Sequence, residues 1–217
     1  MKKARVGLIR VLTTDDPEVL NLHGKLIMDV FPDLEVITRC IPGQPQGVFD
    51  EASEKEAWPK VVDLAQEMAA DDLEAIIVSC IADPGVKKTR EVLDIPIIGA
   101  GTATAHVALS LGAGVAALGI TEDVPAAMAD VLGSALLASA KPLGVETTVD
   151  LMKPLGKQAV LAAAKELKEQ GAKVLVLACT GMSTIGVAED VRRELGIRVV
   201  DPVIATGLVA WYATRGL

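Results

Sequence analysis

Two cysteines occupy matching positions in the two halves of the chain, and cysteine can donate a proton as a thiol or accept one as a thiolate. Cys80 follows the apolar segment 74–79, and Cys179 follows the apolar segment 173–178, 99 residues further along. Small residues and the start of a predicted helix come next in both places. Helix N-termini carry partial positive charge and unpaired N–H groups, so each thiol is expected to ionise more readily there. Two such thiols facing one acidic carbon could remove its proton on one side and replace it on the other.

The elements that must position these cysteines form a repeated β-α pattern. Short apolar runs alternate with longer amphipathic stretches, which is typical of parallel sheets covered by helices. In the first half we predict strands at 4–10, 34–38, 74–79 and 96–98, and helices at 17–30, 51–70 and 85–93. In the second half we predict strands at 114–120, 145–149, 173–178 and 197–200, and helices at 123–140, 154–170, 185–195 and 202–214. Any α/β chain looks repetitive to some extent, but here each cysteine directly follows the third strand of its half. Because ligands bind outside the carboxyl ends of parallel strands, the pattern predicts one cleft shared by both cysteines.

The composition narrows the class of protein. Of the 217 residues, 51% are hydrophobic and only 2% are aromatic, which fits a core of Val, Ile, Leu and Ala between sheets and helices. A net charge of −8 and the scarcity of aromatic side chains argue against nucleic-acid binding. The apolar runs are too short to span a membrane, and we interpret the basic start at Met1 as leading into the first strand, not as a signal peptide. The odd number of cysteines, three, favours free thiols in a reducing cytoplasm.

Each cysteine also has a structural interpretation, because buried cysteines often only fill space. Cys40 has no counterpart in the second half and is expected to be structural, although its loop could cover the site. We expect Asp83 to cap the helix that follows Cys80, and Ser183 or Thr184 to cap the helix that follows Cys179. We also expect Pro59 to kink or restart the helix 51–70.

The sequence offers little support for a metal or a nucleotide cofactor. His23 and His106 are the two histidines, neither lies near a cysteine in sequence, and both are expected to be packing or surface residues. A zinc site would have to be assembled from distant residues. The glycines of the run 99–101 lack the third glycine of a dinucleotide-binding fingerprint. We therefore predict no metal and no cofactor.

The segments around both cysteines resemble the two cysteine motifs of the Asp/Glu/hydantoin racemase superfamily. The run from Cys80 to Gly85 reads Cys-Ile-Ala-Asp-Pro-Gly, a form closest to the hydantoin racemase branch, and the run from Cys179 to Met182 is similar to the second motif. The likeness extends over about residues 4–212. The resemblance implies an α/β fold of two flavodoxin-like lobes, each with a parallel four-stranded sheet, related by a pseudo-twofold axis. We place the lobes at residues 1–101 and 102–202, with the C-terminal helix 203–217 packing back on the first lobe.

The resemblance also implies a cofactor-independent racemase or epimerase that inverts a carbon next to a carbonyl, with Cys80 and Cys179 as its acid and base. Backbone N–H groups and hydroxyls around the cleft are then expected to bind the substrate and its developing oxyanion. The expected binding residues are Arg10, Thr13, Ile81, Ala82, Asp83, Thr102, Thr121, Thr180 and Gly181. For Arg10 the alternative is a solvated charge at the end of a strand.

Departures from the family pattern bear on the substrate. Amino-acid racemases of the group usually have Asn-Thr after the first cysteine, where Ile81 and Ala82 stand here, and hydantoin racemases often have Glu in place of Thr102. We predict a small hydantoin-like cyclic substrate, and the apolar helices permit a homo-oligomer. An aspartate or glutamate racemase and a non-catalytic small-molecule binding protein stay as alternatives. A thiol redox protein is disfavoured, because the cysteines lack the C-x-x-C spacing.

Overall fold

The computed structural model describes residues 3–216 as two parallel four-stranded sheets with helices packed around them. The first sheet contains β1 (Ala4–Arg10), β2 (Leu34–Cys40), β3 (Ala75–Ser79) and β4 (Ile97–Gly99), in the order β2-β1-β3-β4. The second contains β5 (Val115–Gly119), β6 (Leu136–Ala140), β7 (Val174–Ala178) and β8 (Arg198–Val200), in the order β6-β5-β7-β8. Both sheets have the flavodoxin-like strand order, so the predicted α/β fold is confirmed. The twofold axis that would relate the two sheets stays a prediction.

Helices connect the parallel strands. In chain order they are α1 (Pro17–Val30), α2 (Glu51–Met68), α3 (Val86–Val92), α4 (Ala100–Leu111), α5 (Ala126–Leu132), α6 (Gly156–Glu169), α7 (Gly181–Thr184), α8 (Val187–Leu195) and α9 (Pro202–Ala213). No helix within residues 3–216 combines the length and apolarity needed to cross a membrane.

The central strands β3 and β7 have sequences that only a doubly covered sheet can accommodate. Their residues are Ala-Ile-Ile-Val-Ser and Val-Leu-Val-Leu-Ala, and every one of them is buried. A parallel strand with helices on both faces of its sheet buries side chains on both sides, which explains the continuous apolar run. Tight packing holds the carboxyl ends of these two strands in place, and Cys80 and Cys179 come directly after them.

The predicted helix 123–140 is wrong in its second half. α5 ends at Leu132, because Gly133 has a φ of 47°, and a short 3₁₀ turn leads into β6. β6 pairs in parallel with β5 at the edge of the second sheet and alternates half-buried with exposed residues. Its sequence, Leu-Leu-Ala-Ser-Ala, has good intrinsic helix propensity, which misled the prediction. Residues 136–140 form a strand because they pair with the edge of β5, and that pairing partner exists only in the folded protein.

The predicted strand 145–149 is also wrong. Residues 148–152 form a 3₁₀ helix, opened by a capping box in which the Asp150 carboxylate accepts the N–H of Thr147 at 2.7 Å. The β-branched run Thr-Thr-Val favoured a strand locally. A Thr-x-x-Asp pattern at a helix start overrides that preference because it satisfies backbone groups that a helix start leaves unpaired.

The first half of the chain follows the prediction more closely. The four strands and three helices lie within a few residues of their expected bounds. Pro59 does not restart the helix, since α2 continues from Glu51 to Met68 with the proline inside it, and the kink stays a prediction. The helix after Cys80 begins behind Gly85, which has a φ of 72° and takes the capping position expected for Asp83.

Two helices pack against elements of both sheets. In α4, Ala103 contacts the core of the first sheet, whereas Ala105 and Ala108 belong to the core of the second. α9 packs Val203 and Ala210 into the core of the first sheet. The division of the chain into lobes at residue 101 stays a prediction. The last helix ends at Ala213, earlier than the predicted 203–217, and the predicted bounds at Met1, Lys2 and Leu217 lie outside the described residues.

Candidate active site

Both cysteines line one pocket of about 880 Å³ at the carboxyl ends of the two sheets. Cys80 reaches it from the end of β3, and Cys179 reaches it from the end of β7. Each thiol is less than a tenth exposed. Of the residues predicted to bind a substrate, those that also line the pocket are Arg10, Ile81, Ala82, Thr121, Thr180 and Gly181. The pocket volume lies within the range that is usual for small-molecule binding sites.

Burial dominates the ionisation of Cys80. Loss of hydration raises the pKa of its thiol far above the usual value, and negative charges on Cys179, Asp83 and Glu54 raise it further. The backbone N–H of Ala82 opposes this shift by stabilising the thiolate. Burial therefore favours the protonated thiol at Cys80.

Cys179 ionises more readily than Cys80. Burial raises the pKa of its thiol to about 11, and the N–H of Gly181 is the strongest of the groups that oppose the rise. The Thr148 hydroxyl, the N–H of Met182 and the positive charge of Arg10 also favour the thiolate. The pKa of Cys179 is therefore raised less than that of Cys80.

Arg10 is a buried cation at the edge of the pocket. It ends β1 between Cys40 on β2 and Ser79 on β3, and only 3% of the residue is exposed. Its Nη1 donates to the carbonyl oxygens of Val19 and Leu20 at 2.7 and 3.3 Å. Burial lowers the pKa of the guanidinium to about 10, while Cys40 and Cys179 act in the opposite direction. The alternative of a solvated strand-end charge does not hold.

Three of the expected binding residues do not line this pocket. The Thr13 hydroxyl donates to the Ile41 carbonyl at 2.6 Å and accepts the N–H of Gln44 at 2.7 Å, so it shapes the loop after β2. Thr13 follows the first strand, as expected, but its loop turns toward β2.

The Asp83 carboxylate binds the start of α4. It accepts the N–H of Gly101 at 2.7 Å, the N–H of Thr102 at 2.9 Å and the Thr102 hydroxyl at 2.6 Å. These bonds occupy both Asp83 and Thr102, and they tie the Cys80 loop to the next helix. The expected caps after Cys179 differ too, since the Ser183 hydroxyl donates to Asp201 at 2.8 Å.

The remaining cysteine and the histidines lie away from the pocket lining. Cys40 is half-buried, with its Sγ 3.8 Å from the Thr14 carbonyl oxygen. His106 is exposed and contacts the Thr102 carbonyl at 2.8 Å through Nδ1. His23 is fully buried. Among residues 3–216, no group of His, Cys, Asp or Glu side chains is arranged to hold a metal ion.

Sequence reasoning missed several residues that line the pocket. Thr148, whose hydroxyl favours the Cys179 thiolate, lies in the segment 145–149 predicted as a strand, so nothing local indicates its place at the pocket. The pocket is also lined by seven carboxylates and a lysine from the loops and helices that follow β2, β5 and β6. These residues are Asp50, Glu51, Glu54, Glu122, Asp123, Asp130, Lys141 and Glu146. The available signal was position, because loops after parallel strands gather at the same edge of a sheet.

The protein belongs to the class of α/β proteins that hold two thiols in one cleft. It has two flavodoxin-like sheets, and a cysteine follows the third strand of each sheet in chain order. The family model described as Asp/Glu/Hydantoin racemase matches residues 25–207. The hydantoin racemase of Paenarthrobacter aurescens is 30% identical over 182 residues, covering 78% of this chain and 72% of that protein. The hydantoin racemase of Pseudomonas sp. (strain NS671) is 26% identical over 160 residues, 68% of this chain and 61% of that protein.

A solved structure shares the whole architecture. The allantoin racemase from Klebsiella pneumoniae superposes with a TM-score of 0.82 over 96% of this chain and 86% of that one, at 21% identity. The chain therefore belongs to the Asp/Glu/hydantoin racemase family, a family of isomerases. The predicted membership, including the hydantoin racemase branch, is confirmed.

Proposed function

We propose that this protein is a cofactor-independent racemase or epimerase that inverts the carbon next to a carbonyl in a hydantoin-like ring. The observation that carries the proposal is that Cys80 and Cys179, at equivalent strand ends of two sheets, line the same pocket. Inversion requires one group to remove a proton from one face of a carbon and another to supply a proton on the opposite face. Two thiols that reach one pocket from different sheets meet that requirement.

The catalytic cycle uses the two sulfurs in opposite protonation states. For one hand of the substrate, the Cys179 thiolate removes the proton and the Cys80 thiol donates another to the far face. For the other hand the roles are exchanged. The N–H groups of Ile81 and Thr180 are candidates to stabilise the enolate oxygen that develops. A substrate bound over the buried thiols excludes water from them. The N–H groups of Ala82 and Gly181 stabilise the sulfurs themselves.

The charges around the pocket favour a neutral ring over an acidic amino acid. Seven carboxylates line it, and its cations within residues 3–216 are Arg10 and Lys141. Lys141 is already paired with Glu122 at 2.9 Å and with Glu146 at 2.6 Å. An aspartate or glutamate substrate, with two carboxylates and one ammonium group, would bring a net negative charge into this field, and like charges brought together are unfavourable.

A substrate screen tests the proposal. We expect loss of optical rotation with neutral 5-substituted hydantoins, at a kcat/KM about 100-fold or more above that for aspartate or glutamate, a difference of about 2.7 kcal/mol. The screen includes allantoin, because the similar solved structure from Klebsiella pneumoniae is named an allantoin racemase. Incorporation of solvent deuterium at the inverted carbon is the second measurement. Faster turnover of the acidic amino acids would support the amino-acid racemase instead, and binding without exchange would support a non-catalytic protein.

The rate should rise with pH across the neutral range. The base must be a thiolate, and burial raises the pKa of Cys179 to about 11, so below that pH its thiolate fraction increases tenfold per unit. For at least one enantiomer, log kcat/KM is expected to climb with a slope near +1 between about pH 6 and pH 9. Initial rates are measured with the enzyme-free rate subtracted at each pH. A flat profile would contradict a thiolate base drawn from this thiol.

The proposed cellular location follows from the need for free thiols. All three cysteines are free thiols in the structure, which supports a reducing, cytoplasmic location for a protein that needs two of them unoxidised. Its partner is the small-molecule substrate, and a homo-oligomer stays a prediction.

A further inference from the structure

His23 forms a buried hydrogen-bonded connection between elements of the two sheets. It lies in α1 and has no exposed surface. Its Nδ1 is 2.9 Å from the Ser79 hydroxyl, and its Nε2 is 2.9 Å from the Thr184 hydroxyl. Ser79 ends β3 of the first sheet, whereas Thr184 ends α7, which follows β7 of the second. One imidazole therefore joins two segments that are distant in sequence.

Both partners of His23 lie next to the proposed acid and base. Ser79 directly precedes Cys80, and α7 begins two residues after Cys179. A further hydrogen bond joins the same two segments, because the Thr180 hydroxyl donates to the Ser79 carbonyl at 3.2 Å. Together these hydrogen bonds connect the loop that carries Cys80 with the loop that carries Cys179.

The His23 ring is suited to holding geometry and not to carrying protons. Burial and the positive charge of Arg10 lower the pKa of His23 well below its usual range, although the Thr180 carbonyl acts in the opposite direction. A neutral imidazole donates from one nitrogen and accepts at the other, and a hydroxyl can take either complementary role. Both bonds can thus form together, and His23 is not among the residues that line the pocket.

We propose that His23 is a positioning residue that sets how Cys80 and Cys179 face each other across the pocket. The proposal rests on the two-cysteine function given above. Inversion needs the second sulfur within reach of the far face, and a misplacement of about 1 Å can cost about 100-fold in rate. Exchange of the substrate proton with solvent needs only one sulfur, since the same cysteine can return a deuteron to the face it deprotonated. The ratio of inversion to exchange therefore measures how well the two cysteine loops are held.

The test uses His23→Leu, which removes both bonds, and His23→Gln, which keeps an amide within reach of Thr184. In deuterated water with a single enantiomer of a 5-substituted hydantoin, His23→Leu is expected to lower inversion about 100-fold while exchange falls less than about threefold. His23→Gln should recover part of the inversion. Thr184→Val deletes one hydroxyl and should shift the ratio in the same direction, so the test survives if His23→Leu does not fold.

A matched control separates positioning from general loosening of the helix. Ile27 lies one turn further along α1, is fully buried and packs into the first core. Ile27→Ala should lower the melting temperature and leave the ratio of inversion to exchange at the wild-type value. An unchanged ratio in His23→Leu, or a parallel fall of both rates, would overturn the positioning role alone. A wild-type protein that neither exchanges nor inverts any hydantoin would overturn the proposed function as well.

Discussion

Replacement of either Cys80 or Cys179 by serine is expected to abolish racemisation, with a loss of at least about 10²–10⁴-fold in kcat/KM. A hydroxyl is a far weaker acid than a thiol, so serine at either position supplies no usable base and a poor proton donor. Loss of activity in both directions follows from losing one sulfur, because each direction uses one as the base and the other as the acid. The measurement is loss of optical rotation from each enantiomer of a 5-substituted hydantoin.

Isotope exchange distinguishes this scheme from one in which a single cysteine does all the work. In Cys80→Ser the remaining thiol of Cys179 can still deprotonate the enantiomer whose hydrogen faces it and return a deuteron to the same side. That enantiomer should exchange without inverting, and its mirror image should do neither. In Cys179→Ser the preference should be for the opposite hand.

Cys40→Ser is the matched control, since this half-buried thiol lies outside the pocket lining. It should keep racemisation within about twofold of wild type. A small loss is expected because Cys40 lies beside Arg10 on the neighbouring strand. Wild-type turnover in either of the other two single variants would disprove the two-base scheme. Exchange of the same enantiomer in both would place the sulfurs on one face.

Alanine at position 101 is expected to destabilise the protein and to disturb the Cys80 loop. A Cβ at Gly101 would lie 2.0 Å from the carbonyl oxygen of Ile81, the residue after Cys80, and a backbone oxygen cannot rotate away. Overpacking of this kind costs about 1–3 kcal/mol, and a clash with backbone falls at the upper end. Displacement of Ile81 should also lower kcat/KM at least about tenfold, because it moves the adjacent thiol.

The sign of this change is diagnostic. Glycine to alanine within a helix normally stabilises a protein by about 1 kcal/mol, so a loss at Gly101 must come from the contact with Ile81. Ser110→Ala, at an exposed position of the same helix, should change the free energy of unfolding by less than about 0.5 kcal/mol. Urea denaturation of the three proteins gives the comparison. Equal or greater stability of Gly101→Ala would show that the helix start and the Cys80 loop are not in close contact.

The first half of the chain was predictable because its signals are local. Its four strands are short apolar runs separated by Pro- and Gly-rich turns, and its helices begin at caps such as Asp16 and Asp50. The second half failed between residues 123 and 149, where local preference and tertiary pairing disagree. Leu136–Ala140 favours a helix by composition and becomes an edge strand because β5 offers a free edge there.

The candidate site divides in the same way. Cys80 and Cys179 were found from sequence, because a strand end followed by a helix start is written in adjacent residues. Their surroundings were not: the Thr148 hydroxyl favours the Cys179 thiolate from more than thirty residues away, and Asp83, expected to cap the helix after Cys80, binds the start of α4 instead. Arg10 was expected near the substrate, yet its burial against helix carbonyls could be seen only in the folded chain.

By itself the sequence determined the alternation of strands and helices, the equivalent placement of the two cysteines and the family resemblance, since periodicity and motifs depend on residues close together in the chain. Tertiary structure alone decided that the cleft shared by the two thiols is lined with carboxylates, that the pKa values of the thiols are raised unequally, and that His23 connects the loops that carry them. Desolvation and hydrogen bonding act between groups that are near in space, and no local pattern records which distant residues the packing of two sheets brings together.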